Sequence, residues 1–154
     1  MKEITLYTDG SSKGNPGPGG LGAILIYNGT RKEISKGYKL TTNNRMELSA
    51  VIEGLEALKE PCSVTVYSDS KYVVDAILKG WLKGWVKKGW RKSDKKPVLN
   101  IDLWEKILVL IDRHDVKFKW VKGHASNPLN NRCDELAVSA ASGGNLLVDE
   151  GYKA

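Results

Sequence analysis

Apolar and polar positions alternate through three consecutive stretches, "EITLYTD" at 3–9, "GLGAILIYN" at 20–28 and "RKEISKGYKL" at 31–40. A period of two marks strands, and the glycine-rich and Asn-Gly turns between them predict an antiparallel meander. From residue 44 to about 59 the period lengthens, and Leu48, Val51, Ile52, Leu55 and Leu58 make a helical stripe that Pro61 stops. "SVTVYSD" at 63–69 alternates again and leads into a helix carried by Val73, Val74, Ile77 and Leu78. The stretch after it is helical in its first half, although Gly80, Gly84 and Gly89 weaken it. Asn100 is placed to cap a helix at 101–113 that turns Leu103, Trp104, Ile107, Leu108 and Ile111 inward. "DVKFKWV" at 115–121 is a fifth strand, and "NPLNNRCDELAVSAAS" at 127–142 is a last helix ended by Gly143 and Gly144.

Strand, helix, strand succession in the second half implies right-handed parallel crossovers beside the antiparallel meander of the first. The expected fold is therefore α/β, one mixed five-stranded sheet flanked by helices. The 154 residues show no repeat, linker or low-complexity tract, so a single domain over 1–154 is expected. No stretch approaches the roughly 20 apolar residues of a membrane span, and "MKEITLY" lacks the apolar core of a signal peptide, so the expected location is cytoplasmic. Cys62 and Cys133 sit among apolar residues without metal-ligand spacing and are read as reduced, structural thiols. No apolar stripe is left unassigned, which favours a monomer. The tail "NLLVDEGYKA" is too short for a domain and is left to pack or fray.

Charge becomes informative once it is located. The chain carries +6, yet residues 79–96, "KGWLKGWVKKGWRKSDKK", hold eight cations against the single acid Asp94, a local charge of +7. So dense a run exceeds an ordinary solvated face and suits phosphate binding. Trp81, Trp85 and Trp90 interleave with the lysines. For Trp81 and Trp85, four apart, packing against the body of the protein is the simpler role, with stacking on a sugar as the alternative.

Four acids resist a purely local explanation. Asp9 and Asp69 each end an apolar strand, two residues after a tyrosine on the same face, Tyr7 and Tyr67. Locally, Asp9 suits a turn and Asp69 a helix N-cap. If the two strands are parallel neighbours, the carboxylates come close, repel, and need a cation. Glu47 completes a capping-box spacing in "NRME" at 44–47, but it also lies on the core-facing edge of its helix with Val51, Gly54 and Leu58. Asp134 borders the apolar stripe of the last helix, where a solvated charge is the commoner outcome. Together these acids would make an oxygen-rich site for hard divalent ions such as Mg²⁺. Two such ions can activate a water and stabilise a leaving oxygen in phosphodiester hydrolysis. His124, in the glycine-flanked loop "VKGHASNP", is the candidate proton carrier, whereas His114 reads as a surface or helix-capping residue.

"YTDGSSKGNPGPGG", "TTNNRMEL", "VYSDSKYV" and "WVKGHASNPLNNRCDELA", in this order and at these intervals, resemble bacterial type 1 ribonuclease H over nearly the whole chain. "GWVKKGWRKSDKKPVLNIDLW" resembles that family's basic protrusion, here at about 79–96. The resemblance implies an endonuclease that cleaves the RNA strand of RNA/DNA hybrids with Mg²⁺ or Mn²⁺, leaving 3′-hydroxyl and 5′-phosphate ends. It implies Asp9, Glu47, Asp69 and Asp134 as the metal-binding set, with His124 assisting proton transfer or product release. It also implies hybrid contacts from Gly10, Ser11, Asn15, Asn43 and Asn44, and from Trp81, Trp85, Lys87, Lys88 and Trp90 on the protrusion. Small donors and acceptors suit 2′-hydroxyl recognition across a shallow minor groove. Lys71 stands where some relatives carry glutamine. A DNA-cleaving enzyme on the same scaffold and a non-catalytic hybrid-binding module are the rival readings.

Overall fold

The structure is a computed structural model and describes residues 1–123 and 127–153. Its elements run β1 (Lys2–Ser12), β2 (Gly17–Tyr27), β3 (Thr30–Thr41), α1 (Asn43–Glu56), β4 (Cys62–Ser68), α2 (Lys71–Leu78), α3 (Trp81–Lys87), α4 (Ile101–Arg113), β5 (Asp115–Trp120) and α5 (Pro128–Ala141). They form one five-stranded sheet in the order β3-β2-β1-β4-β5, with the first three strands antiparallel and β1, β4 and β5 parallel. The α/β mixed sheet and every strand expected from alternation are present.

Alternation decides the two faces of β1. Ile4, Leu6 and Thr8 are buried on one side, where Leu6 lies against the position of Gly54 in α1. Asp9 is on the other side and pairs across to Gly22, beside which the α5 backbone at Cys133 runs so close that a Cβ would overlap it. Leu103, Trp104 and Ile107 of α4, which packs mainly beside α1, belong to the same core, and both cysteines are buried and free.

Several local expectations are corrected, and the open alternative for the tail is decided. The N-cap of α1 is Thr42, whose hydroxyl accepts from the Arg45 N–H at 3.2 Å, so Asn44 lies inside the first turn and Glu47 is freed from any capping role. The helix ends at Glu56, well before Pro61. Asn100 stands at the N-cap position of α4 in a left-handed conformation without a side-chain cap bond; its amide nitrogen instead donates to the Tyr72 hydroxyl at 3.1 Å. His114 is the C-cap of α4, its N–H donating to the Leu110 carbonyl at 3.1 Å, so the capping reading holds while the surface one does not: the residue is buried. Its Nδ1 accepts from the Cys62 N–H at 3.0 Å, which puts the proton on Nε2, and burial lowers its pKa from the ordinary value. The tail does not fray: Leu147 pairs with β3 through its N–H to Gly37 and through its carbonyl, which accepts from the Lys39 N–H, both at 2.8 Å.

Candidate active site

Parallel pairing of β1 with β4 sets the site. Tyr7 lies opposite Tyr67 and their rings stack with centroids 4.7 Å apart; pairing runs on through Thr8 and Ser68, so Asp9 and Asp69 come next, side by side. Gly10 follows Asp9 because the Met46–Glu47 backbone of α1 lies where a Cβ would be. That close approach delivers Glu47 to the same point, and carboxylate oxygens of Asp9, Glu47 and Asp69 all fall within 4.8 Å of one another. Asp134, half-buried on α5, lines the same cavity of about 420 Å³ but stands outside that tight set of three.

These acids are placed against their own electrostatics. Asp9 is 5% exposed and Glu47 7%. Burial, then the charges of Asp69 and Asp134, push Asp9 from 3.8 up to about 8, even though the Gly10 N–H donates to its Oδ1 at 2.9 Å. Burial, then Asp9 and Asp69, hold Glu47 well above the carboxylate range. Glu47 Oε1 is buried without a hydrogen-bond partner. An orphaned carboxylate oxygen next to two more carboxylates is the environment a hard divalent cation satisfies, so the residues fit such an ion.

The pH consequence has a definite sign. A carboxyl whose pKa is raised by folding contributes stability that is complete below its ordinary 3.8 and is lost as pH climbs through about 8. In EDTA, Asp9→Asn should therefore melt higher than the wild type at pH 9, by about 5 °C, and the difference should shrink toward pH 5. Divalent ions should raise the wild-type melting temperature at pH 9 and leave the variant far less affected. Equal melting curves at pH 9 would mean that Asp9 bears no such repulsion.

Four of the ten expected contact residues meet here. Gly10, Ser11, Asn43 and Asn44 line the acidic cavity with the carboxylates. Asn15 lies in the adjoining groove of about 600 Å³, which shares Asn44, and its Oδ1 accepts from the Asn43 N–H at 3.1 Å. His124 lies outside the described residues. Asp69 is not an N-cap: Ser70 caps α2 through the Val73 N–H, leaving the carboxylate to the cavity. Ser70, Lys71 and Tyr72 line the cavity too, beyond the residues expected there; their only signal in the sequence is that they follow Asp69. The Lys71 ammonium rests 5.0 Å from the Trp120 ring centre, and the Trp120 indole N–H donates to the Asp69 carbonyl at 3.2 Å.

The tryptophans divide. Trp85 packs edge-on to buried Trp104 at 5.8 Å, as expected, and Trp90 packs partly against the core. Trp81 does not share that packing: it is 45% exposed, with the Lys79 ammonium 5.7 Å from its ring centre. Helix α3 is only seven residues long and buries Leu82, which rolls Trp81 outward. Lys87 and Lys88 are exposed at its end. None of these five residues lines the acidic cavity.

The RNase H family model matches residues 1–142. The chain is 60% identical to the ribonuclease H of Desulforamulus reducens over 149 residues, which spans 97% of this chain and 94% of that one. It is 64% identical to the ribonuclease H of Chlorobium phaeovibrioides over 136 residues, or 88% and 93% of the two chains. Among solved structures, LC9-RNase H1, described as a type 1 RNase H with the type 2 active-site motif, superposes with a TM-score of 0.81 at 34% identity, covering 92% of this chain and 72% of that one. LC11-RNase H1 in complex with an RNA/DNA hybrid superposes with a TM-score of 0.66 at 28% identity, covering 90% and 96%.

Proposed function

The chain belongs to the RNase H family and hydrolyses the RNA strand of RNA/DNA hybrids; we propose that it does so as an endonuclease whose divalent metal ions are held by Asp9, Glu47, Asp69 and Asp134. The observation that carries this assignment is the convergence of three carboxylates within 4.8 Å in a cavity that Asn43 and Asn44 also line. The family is metal-dependent; within the chain's own chemistry Mg²⁺ is the expected ion and Mn²⁺ an accepted substitute. When bound, such ions activate a water molecule and stabilise the leaving oxygen.

The residues themselves divide the remaining work. Asp9 and Glu47 are both buried, so their interaction with a bound cation would be screened less than in bulk solvent. Asp69 is held by its place after β4 and by the indole bond to its own carbonyl. Ser11, Asn43 and Asn44 present neutral donors and acceptors beside the acids, suited to the 2′-hydroxyls that tell RNA from DNA. His124, four residues beyond β5 in the sequence, assists proton transfer or product release. The exposed protrusion at 79–96, with Trp81, Trp85, Lys87, Lys88 and Trp90, engages the hybrid backbone. The chain works as a single domain and a monomer in the cytoplasm, and no described helix is long and apolar enough to cross a membrane.

The test is cleavage of end-labelled RNA/DNA hybrid, duplex DNA and duplex RNA with Mg²⁺, with Mn²⁺ and with EDTA. Internal cuts in the RNA strand of the hybrid alone, ending in 3′-hydroxyl and 5′-phosphate and abolished by EDTA, are expected. Cleavage of duplex DNA at a similar rate, or cleavage in EDTA, would overturn the reading.

A further inference from the structure

Arg45 follows Asn43 and Asn44 in the first turn of α1, yet its guanidinium serves none of the acids in the cavity. It is 3% exposed and is clamped from two sides. Nη1 and Nη2 donate to the Asp102 carboxylate at 2.9 and 2.7 Å, while Nε and Nη2 donate to that of Asp149 at 2.7 and 2.9 Å. Asp149 Oδ2 also accepts from the Thr41 hydroxyl at 2.7 Å, immediately before the Thr42 cap. Asp149 belongs to the tail, beyond residues 1–142 that match the family model. The tail is fixed on either side of it: Leu147 is paired to β3, the Tyr152 N–H donates to the Asp149 carbonyl at 3.1 Å, and a Cβ on Gly151 would overlap the Asp102 carboxylate.

Two bidentate pairs on one guanidinium fix its plane, and with it the turn that carries it. That turn presents Asn43 and Asn44 and leads directly into Glu47. We propose that the tail segment 147–152 is a positioning element for hybrid binding, acting through Asp149 and Arg45 to hold the first turn of α1 in its substrate-competent place. The inference rests on the hybrid-binding reading above. It also reverses the sign that charge alone would give. The clasp joins two carboxylates to one guanidinium, so removing Asp149 deletes a negative charge near a polyanion, which by Coulomb's law should tighten binding. A positioning role requires it to weaken.

The measurement is hybrid affinity of the full chain in EDTA, with KM and kcat in Mg²⁺ well below the melting temperature, for wild type, Asp149→Ala, Asp149→Glu and Gly151→Ala. Asp149→Ala should weaken binding and raise KM roughly fivefold, with the loss in KM rather than kcat, and Asp149→Glu should recover most of it. Gly151→Ala disturbs the clasp without changing charge and should shift affinity in the same direction, so it carries the test should Asp149→Ala not fold. Unchanged or tighter binding in these variants, with only a lower melting temperature, would make the clasp purely structural and overturn the inference. A wild-type chain that binds no hybrid would overturn the hybrid reading as well.

Discussion

Asp9→Asn is expected to lose hybrid cleavage by about 10³-fold or more, the scale on which removing one preorganised charge from a reaction centre is felt. Binding to the hybrid in EDTA should persist or tighten, since a carboxylate facing phosphate is repulsive. The substitution is well matched to the question. The asparagine side chain keeps an oxygen able to accept the Gly10 N–H bond seen at 2.9 Å, so a turn that needs only that bond survives. What disappears is the charge that burial and Asp69 already make costly, with Asp9 pushed up to about 8. Cleavage assayed alongside the melting curve separates the possibilities. Activity near the wild-type level would reduce Asp9 to a turn residue and break the proposed metal set.

That Asp9 invites this test was legible because its conflict is local: a charged residue ends a strand pattern that propensity would continue with an apolar one. Asp69 repeats the conflict, and the parallel pairing that a crossover through α1 permits makes the two neighbours. Glu47 needed more. Its capping-box spacing is real in the sequence, but the N-cap falls on Thr42, two residues before Asn44, and no i to i+3 pattern announces which of several adjacent polar residues wins the cap. Arg45, for which the sequence offered no reading, and the burial of His114 show the limit of such local signals. Both are polar yet buried, with partners 57 and 104 residues away for Arg45 and 52 residues away for His114. Long-range satisfaction of a buried polar group leaves no periodic trace. Trp81 failed for a geometric reason: helical spacing places it on the face of Trp85, but a seven-residue helix anchored by Leu82 and Trp85 offers no room to bury both indoles.

Lysine density in the protrusion, by contrast, carried into the structure intact, and it sets the second large effect. All eight cations of residues 79–96 are exposed, and among the described residues only Lys79 finds a carboxylate, Asp75 at 3.6 Å. Charges so exposed and so crowded repel one another unless an anion runs past them, while the fold beneath is held by apolar anchors, Leu82 and Trp85, that do not depend on the lysines. Neutralising Lys83, Lys87, Lys88 and Arg91 to glutamine should therefore leave the melting temperature nearly unchanged. It should weaken hybrid binding by about 10- to 100-fold at low salt and lower the slope of log affinity against log salt by roughly 0.7–0.9 for each phosphate no longer neutralised. Because the acids are untouched, the deficit should fall on KM. Four equal neutralisations at Lys32, Lys39, Lys106 and Lys117, all exposed, change the net charge identically and distinguish location from total charge. If both sets reduce the salt slope equally, the protrusion is not a binding surface and the positive charge acts only as a diffuse field. A deficit confined to the first set means that the phosphate backbone crosses α3, some distance from the acidic cavity. Contact at two separated places fixes the direction of the hybrid across the protein and so selects which phosphodiester meets Asp9.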